Sequence, residues 1–543
     1  MKNWLDDRAW QGRTLILASI LIAPFLRFLL QNNYLVLRPE VVLPLMALLL
    51  LSLLGASLCR PGLTFRLVTL LSIVLLSADA TRKLLYPVVG WLSLPQIFLV
   101  LLLALAPVMH LMKQSFYRIA LVFVWSSLGV DVVTIVPFSV KAQAPRAAKP
   151  VQGHVLYLIL DGHIGPEGLP VEVPECGLAK QAVEATFAKH DFDLYPYAYS
   201  NFLHSVDSIP SILNFRIEEK HQVLVEKGSR PGFVLKRNAV LEHYRARGYR
   251  IQLYQSDFLD FREAVPVDAS VTYKVMGLAS LGELDWPWTD RLRRVVVSFA
   301  RSDSALGRLL DSVFSRWVRP VDQLTLSPIQ LAQVWPQAFA RDILAAEQKT
   351  LFFAHLLTPH DPYSHAKDGK VKPPKDWLYS WASKAGFEQQ YQAYAEQIQA
   401  VGLQLDWLFE TLHKEGVYES MQIIVHGDHG ARNTWPIFRR RYGARGTWGA
   451  GAGGDSGPGA DLSRSRVLVD LYSTLLAIKQ PGATTPRRIE RKGSVVRFLA
   501  ETLAPERAQG LARDSDQVYW FDRKDRRQAF PPPDFSGSHV PTR

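Results

Sequence analysis

Carboxylate and imidazole side chains lie at the ends of three apolar runs in the C-terminal two thirds of this 543-residue sequence. In chain order, they are Asp161, His355, His360, Asp428 and His429. Oxygen and nitrogen ligands on rigid supports are what a divalent cation requires. A single Asp-Gly pair after a strand is usually only a turn. Three such strand ends in one region favour a metal site.

The apolar runs are typical of strands that are buried on both faces, and helical stretches separate them. This alternation predicts a mostly parallel, doubly wound α/β sheet. In such a sheet the chemistry lies beyond the carboxyl ends of the strands, so we expect the polar side chains to meet there. We predict strands within 154–162, 250–257, 349–360, 420–430 and 473–482, and helices at about 328–348, 387–415 and 494–503.

The N-terminal third is a different kind of sequence. Residues 1–150 contain 14 Lys/Arg and 5 Asp/Glu, so they carry +9 of the formal net charge of +12. This third also contains apolar segments close to the roughly 20 residues that a membrane span needs. The composition excludes a wholly soluble protein, and it gives no basic face on a soluble domain for nucleic acid. Five spans are predicted, at about 13–30, 41–59, 66–81, 94–112 and 117–137.

The placement of Lys and Arg predicts the orientation of this five-span helical bundle. Basic residues precede the first span and lie between spans two and three and between spans four and five. Those sides would be cytoplasmic, and an odd number of spans puts the rest of the chain outside the cytoplasm. We predict a transmembrane domain at 1–138, a linker at 139–152, an α/β domain at 153–522 and a disordered tail at 523–543.

Four motifs, in this order, resemble those of the alkaline phosphatase/sulfatase superfamily. With five preceding spans, the sequence resembles most closely the membrane-anchored phosphoethanolamine transferases and lipoteichoic acid synthases. The resemblance implies a sulfatase-like α/β domain and a divalent metal ion, with zinc expected first and manganese or magnesium as alternatives. The motifs are LILDG (158–162), HSVDSIPSIL (204–213), HLLTPHDPY (355–363) and HGDHG (426–430).

The resemblance implies that Asp161, Asp428 and His429 bind the metal ion, and that Ser205 is both a ligand and the nucleophile. A serine hydroxyl is a poor nucleophile near neutral pH, and coordination to a divalent cation lowers its pKa. The residues after Ser205 have a helical pattern, and a helix N-terminus stabilises an anionic phosphoryl group. We therefore expect a phospho-Ser205 intermediate. The alternative is that Ser205 is only a helix cap.

His355 and His360 match a pair of family histidines, so His355 is a candidate contact to the substrate, and His360 would contact the substrate phosphate or the leaving group. The alternatives are a core histidine at His355 and an ordinary turn at His360. We assign no role to His426. The transferases carry a zinc-binding histidine after the DHG motif, whereas this chain has the arginine-rich stretch 438–446. Arg441 is therefore a candidate contact to phosphate, and a solvated basic loop is the alternative.

Two departures from the family bear on the reaction. Asp207 and Ile209 stand where the formylglycine sulfatases need Pro and Arg, which disfavours ordinary sulfate-ester hydrolysis. The phosphoethanolamine transferases carry several disulfides in the soluble domain, whereas Cys176 is the one cysteine after residue 150 here. The identity of the transferred group therefore stays open.

These observations lead to one functional prediction and two alternatives. We predict a metal-dependent phosphotransferase in the bacterial cytoplasmic membrane, with its catalytic domain on the periplasmic side. It would move a phosphoethanolamine- or phosphoglycerol-type head group from a phospholipid donor to an envelope glycan or lipid acceptor. The alternatives are a sulfatase-like hydrolase or phosphodiesterase of envelope substrates, and a non-catalytic protein of envelope assembly.

Two further segments each allow two interpretations. The segment 283–320 has apolar and basic positions at roughly helical spacing, which predicts a helix on an anionic membrane surface or packed on the α/β domain. The glycine-rich stretch 449–462 lacks the Gly-Lys-Ser/Thr ending of a P-loop. We expect a mobile loop there, either at the active site or elsewhere on the surface.

Overall fold

The computed structural model describes residues 8–32, 34, 38–58, 151–222, 224–227, 232–273, 287–300, 327–378, 386–441, 463–511, 514–521 and 527–537. The chain divides into two compact units. The first comprises Met1–Ala142 and Met276–Leu324, and the second comprises Gln143–Val275 and Thr325–Arg543. Of the described residues, 287–300 therefore group with the N-terminal third, and they fall inside the range 153–522 that we predicted as the α/β domain. The predicted domain boundaries stay a prediction.

The helices are α1 (Arg8–Gln31), α2 (Pro39–Leu58), α3 (Pro174–Lys189), α4 (Ser205–Asn214), α5 (Ala239–Ala246), α6 (Trp288–Ala300), α7 (Ser327–Leu344), α8 (Phe387–Lys414), α9 (Trp435–Arg441), α10 (Arg464–Tyr472), α11 (Val495–Leu503) and α12 (Pro505–Ala508). The strands are β1 (Val155–Leu160), β2 (Asp193–Leu194), β3 (Ala198–Tyr199), β4 (Val225–Lys227), β5 (Phe233–Leu235), β6 (Arg250–Ser256), β7 (Leu259–Asp260), β8 (Ala269–Tyr273), β9 (Thr350–Leu356), β10 (Gln422–Gly427), β11 (Leu476–Lys479), β12 (Arg487–Arg488), β13 (Gly493–Ser494), β14 (Val518–Phe521) and β15 (Arg527–Phe530).

Helices α1, α2 and α6 pack together in the first unit. Glu40, in the first turn of α2, is fully buried and accepts hydrogen bonds from the Tyr34 hydroxyl (2.9 Å) and from Arg291 Nε of α6 (2.9 Å). The ring of Phe299, also in α6, lies 5.1 Å from that of Phe25 in α1. The helix predicted within 283–320 is thus present as α6, and it packs on α1 and α2.

One described helix is long and apolar enough to cross a membrane, namely α2 over Pro39–Ser57. The first predicted span, 13–30, lies within α1, whose apolar part is the shorter stretch Leu21–Leu30. The other three predicted spans and the glycine-rich stretch 449–462 lie outside the described residues. The five-span bundle therefore stays a prediction.

The second unit contains an eight-stranded, mostly parallel sheet, as predicted. Its strand order is β12-β2-β11-β10-β1-β9-β6-β8. β1 lies between β9 and β10 and is parallel to both, and β6 is parallel to β9 and β8. β11 is antiparallel to β10 and to β2.

Helices cover both faces of this sheet. The even-numbered residues of β1 contribute to a core with α3, α7 and α8. The odd-numbered residues contribute to the opposite core with α4, α5 and α11. Because successive side chains of a strand point to opposite faces, every residue of β1 is buried. This explains its continuous apolar run.

The C-terminal region contains ordered structure, so the prediction of a disordered tail was wrong for residues 527–537. β15 pairs antiparallel with β14. Phe530 is buried in a cluster with Phe438, and the ring of Phe535 lies 5.3 Å from that of Tyr197. The stretch is polar in composition, but its aromatic side chains have apolar partners that are distant in sequence.

Candidate active site

The register of β1 with its two neighbours brings the predicted site residues together. Leu160, the last residue of β1, pairs with Gly427 of β10 and with Leu356 of β9. Asp161 and Asp428 follow the paired positions Leu160 and Gly427 directly along the chain. Their carboxylates therefore meet at the carboxyl edge of the sheet, where an α/β fold places its ligands.

Asp161, Asp428 and His429 form a buried group that can hold a divalent metal ion. One ligand atom from each residue lies within 4.8 Å of the others. His429 Nε2 is 3.5 Å from Asp161 Oδ1 and 3.4 Å from Asp428 Oδ2. Among the described residues, neither of these carboxylate oxygens has a hydrogen-bond partner. Buried polar atoms are normally satisfied, so this donor set fits a zinc, manganese or magnesium ion.

Backbone groups orient these ligands. Asp428 Oδ1 accepts hydrogen bonds from the N–H groups of Gly162 (2.8 Å) and His429 (2.9 Å), which leaves Oδ2 for a cation. His429 Nδ1 lies 2.8 Å from the carbonyl oxygen of Gly430. Donation to this carbonyl fixes the tautomer and leaves the Nε2 lone pair for a metal ion. Gly162 has φ = +70°, which glycine adopts without strain.

The two carboxylates experience different electrostatic environments. Burial acts to raise the pKa of Asp161, but the surrounding histidines, His360 first, hold that pKa well below its ordinary value. Burial and the neighbouring Asp161 raise the pKa of Asp428. Burial lowers the pKa of His429, so its imidazole is neutral and able to coordinate. A bound divalent cation would favour the charged form of both carboxylates.

Ser205 is the first residue of α4, and its hydroxyl faces the metal-binding group. Its Oγ is 3.2 Å from His429 Nε2 and 3.5 Å from Asp161 Oδ2. The N-cap position belongs to His204, so a pure capping role for Ser205 does not describe the structure. The N-terminus of a helix carries partial positive charge, and Ser205 is at that end of α4.

His355 and His426 are both fully buried, and they flank Ile159 from the two strands beside β1. His426 Nε2 lies 3.0 Å from the Tyr157 hydroxyl, so the partner of His426 is a core residue of β1. His355 Nε2 instead lies 3.3 Å from Asp161 Oδ2. This contact suits a residue that orients Asp161, and the substrate contact that we predicted for His355 stays a prediction.

His360 lies on the open side of the site, with its side chain 28% exposed. Its Nε2 is 4.0 Å from Asp161 Oδ1, and its Nδ1 is 2.8 Å from Asp361 Oδ1. Burial lowers the pKa of His360, but Asp361 and Asp161 outweigh burial and raise it to about 9. Arg432 Nη2 donates to His360 Nε2. Nε2 accepts this bond only in the neutral imidazole. In the protonated form, which a pKa of about 9 favours near neutral pH, both groups are donors that an oxyanion can bridge.

Arg432 was missed from the sequence, where the candidate arginine was Arg441. Arg441 is the last residue of α9, and its side chain lies outside what the structure describes. A signal for Arg432 was present, because it follows His429 by three residues at the sheet edge where chemistry was expected. Asp470 of α10, which holds the Arg432 loop, has no comparable signal in the sequence.

No protein-family model matches the chain, and no curated protein matches it either. Among solved structures, a phosphonate monoester hydrolase of Agrobacterium radiobacter is similar at 14% identity, with a TM-score of 0.36, over 68% of this chain and 80% of that one. The lipoteichoic acid synthase LtaP from Listeria monocytogenes is similar at 14% identity, with a TM-score of 0.34, over 69% and 77%. A protein in the alkaline phosphatase superfamily from Vibrio parahaemolyticus is similar at 12% identity, with a TM-score of 0.38, over 72% and 84%.

Proposed function

We propose that this chain is a membrane-anchored, metal-dependent enzyme that transfers a phosphoryl-linked group through Ser205. One observation carries the proposal, namely the position of the Ser205 hydroxyl beside the metal-binding group. Its Oγ lies 3.2 Å from His429 Nε2 and 3.5 Å from Asp161 Oδ2. A divalent cation held by Asp161, Asp428 and His429 would lower the pKa of this hydroxyl and make it a nucleophile.

In the first half of the reaction, Ser205 Oγ bonds to phosphorus while the bond from phosphorus to the leaving alcohol breaks. The proton of Ser205 passes to solvent, and His360 gives a proton to the leaving oxygen. In the second half, the same imidazole takes a proton from the acceptor hydroxyl, whose oxygen displaces Ser205. Ser205 then regains a proton. Throughout, the N-terminus of α4 favours the negative charge on the phosphoryl oxygens.

The substrates that we propose are a phospholipid donor and an envelope glycan or lipid acceptor. α2 is long and apolar enough to cross a membrane, and an anchored enzyme meets a lipid substrate at high effective concentration. The distribution of basic residues supports an anchor in the bacterial cytoplasmic membrane with the catalytic unit on the periplasmic side. With water as the acceptor, the same residues would form a hydrolase.

The test compares Ser205→Ala with Ser211→Ala in the full-length, metal-loaded protein. Both serines are buried in α4, but Ser211 Oγ donates to the Asp207 carbonyl (2.8 Å) within the helix. With a phospholipid labelled in its head group, Ser211→Ala should form a labelled phosphoserine adduct and Ser205→Ala should form none. We expect turnover by Ser205→Ala to fall by at least about 10³-fold. Full activity of that variant would contradict the proposal.

Acceptor dependence separates a transferase from a hydrolase. The adduct of a transferase should persist in buffer and disappear when envelope glycans and lipids are added. An adduct that turns over equally fast in water alone would support the hydrolase. Mass spectrometry of lipids and glycans from cells with wild-type protein or Ser205→Ala then identifies the modified molecule. A protein with neither bound metal nor adduct would leave the non-catalytic alternative.

A further inference from the structure

Arg432 occupies an unusual position in the loop that follows β10. Its backbone has φ = +61°, a left-handed conformation that is unfavourable for residues other than glycine. Strain of this kind persists where the surrounding structure imposes it, and it is concentrated at functional sites. Arg432 Nη2 donates to His360 Nε2 at the open side of the site. Burial lowers the pKa values of His204 and His429, and the positive charge of Arg432 lowers both pKa values further.

A buried carboxylate holds the loop that carries Arg432. Asp470 is fully buried, and its Oδ2 accepts hydrogen bonds from the backbone N–H (2.7 Å) and the hydroxyl (2.7 Å) of Thr434. Its Oδ1 accepts from the Tyr391 hydroxyl. Backbone carbonyls of α10 accept from the N–H groups of Gly430 (3.0 Å) and Arg432 (3.3 Å). The loop is therefore held on both sides of Arg432, and this imposes its left-handed backbone.

The guanidinium of Arg432 is placed to meet an anion from outside the protein. Among the described residues, its side chain bonds to His360, and no carboxylate forms an ion pair with it within 4.0 Å. A guanidinium presents several donors in a planar fork that matches two oxygens of a phosphoryl group. A fixed cation that forms no ion pair with a carboxylate of the described residues, beside the nucleophile and the metal ligands, is suited to a tetrahedral oxyanion.

We propose that Arg432 binds non-bridging oxygens of the phosphoryl group of the substrate, beside the metal ligands Asp161, Asp428 and His429. The inference rests on the proposed function, because it assigns the charged group of the substrate to the same site. It also narrows the substrate class. The phosphoryl group must carry at least one anionic non-bridging oxygen, as phosphate monoesters and diesters do and neutral triesters do not. Asp470 is then a positioning residue, because it acts through the loop.

Inorganic phosphate tests this binding without any need for turnover. In the metal-loaded, full-length protein, Arg432→Gly removes the guanidinium and leaves a residue that tolerates positive φ. Calorimetric affinity for phosphate should fall by about 10- to 100-fold, because a charge-assisted contact is lost. The matched control is Asp191→Gly, which replaces another non-glycine residue with positive φ (+58°). This control should keep the phosphate affinity of the wild type.

Chemical rescue separates a missing guanidinium from a disturbed loop. Guanidinium ions in solution should restore part of the activity of Arg432→Gly, and urea at the same concentration should not. Wild-type phosphate affinity in Arg432→Gly would overturn the inference, even if Ser205→Ala is inactive. If Ser205→Ala stays active while Arg432→Gly loses phosphate affinity, the proposed function fails and the inference stands.

Discussion

At the scale of single residues, the hydrogen bonds of a carboxylate decide which of its oxygens meets the cation. Both backbone N–H groups that bind Asp428 donate to Oδ1. Asp428 Oδ2 has no hydrogen-bond partner among the described residues. His355 Nε2 lies 3.3 Å from Asp161 Oδ2. Asp161 Oδ1 has no hydrogen-bond partner among the described residues. In each carboxylate one oxygen is therefore engaged by the protein and the other is available for the metal.

Asp428→Asn tests this division of roles. The amide replaces a negatively charged ligand with a neutral one, so we expect metal binding to weaken by at least about tenfold. Elemental analysis after dialysis against a chelator measures the effect. The control is Asp207→Asn, because the buried Asp207 carboxylate lies 2.9 Å from His221 Nδ1 and outside the metal-binding group. Equal metal retention by both variants would show that Asp428 is not a ligand.

At the scale of secondary structure elements, the site depends on where strands end and on what holds the following loops. β1 and β10 bring Asp161 and Asp428 together by their register, and α4 begins at Ser205 beside them. The loop after β10 depends on α10, because Asp470 accepts hydrogen bonds from both Thr434 and Tyr391. α10 contributes none of the proposed metal ligands, but its Asp470 thus controls the position of Arg432.

Asp470→Asn tests this control. One acceptor becomes a donor, so a buried hydroxyl or N–H loses its partner, and the free energy of unfolding should fall by about 1–3 kcal/mol. Phosphate affinity should fall as well, although Arg432 is unchanged. Denaturant unfolding and phosphate titration measure the two effects. Tyr391→Phe removes one hydrogen bond and leaves the two from Thr434, so its effects should be smaller. Lost stability with wild-type phosphate affinity would show that Asp470 does not position Arg432.

At the scale of the whole molecule, folding of the α/β unit buries histidines in an uncharged form. Burial lowers the pKa of His154 and of His365 to about 4, below the ordinary value of about 6.5. Between pH 6.5 and pH 4, these two histidines therefore bind more protons in the unfolded chain than in the folded chain. Stability contributed by these groups is complete above pH 6.5 and is lost as the pH falls toward 4.

Acid unfolding of the full-length protein in detergent tests this account. Between pH 6.5 and pH 4, each of the two histidines should lower the free energy of unfolding by up to about 1.4 kcal/mol per pH unit. His365→Gln should flatten the dependence, whereas His413→Gln, at an exposed helix end, should not. A pH dependence that is the same in wild type and His365→Gln would rule out this contribution.

The sequence by itself determined the central strands and the residue types of the metal site. A strand that is buried on both faces has a continuous apolar run in its sequence. A metal ligand at the end of such a strand is visible as an Asp or His directly after the run. Both signals are local, so the strands β1, β6, β9 and β10 and the candidates Asp161, Asp428 and His429 could be predicted. The helical pattern after Ser205 placed it at a helix start for the same reason.

Only the tertiary structure decided how these residues divide their roles. His355 and His360 match the same motif, but one is fully buried against Asp161 and the other lies at the open side. Asp470, which holds the Arg432 loop through Thr434, also accepts a hydrogen bond from Tyr391, which is 79 residues away in the sequence. The order in the C-terminal region and the partners of α6 likewise depend on distant segments. Local composition reports whether a residue is buried, whereas its partner depends on which remote residues the fold brings to it.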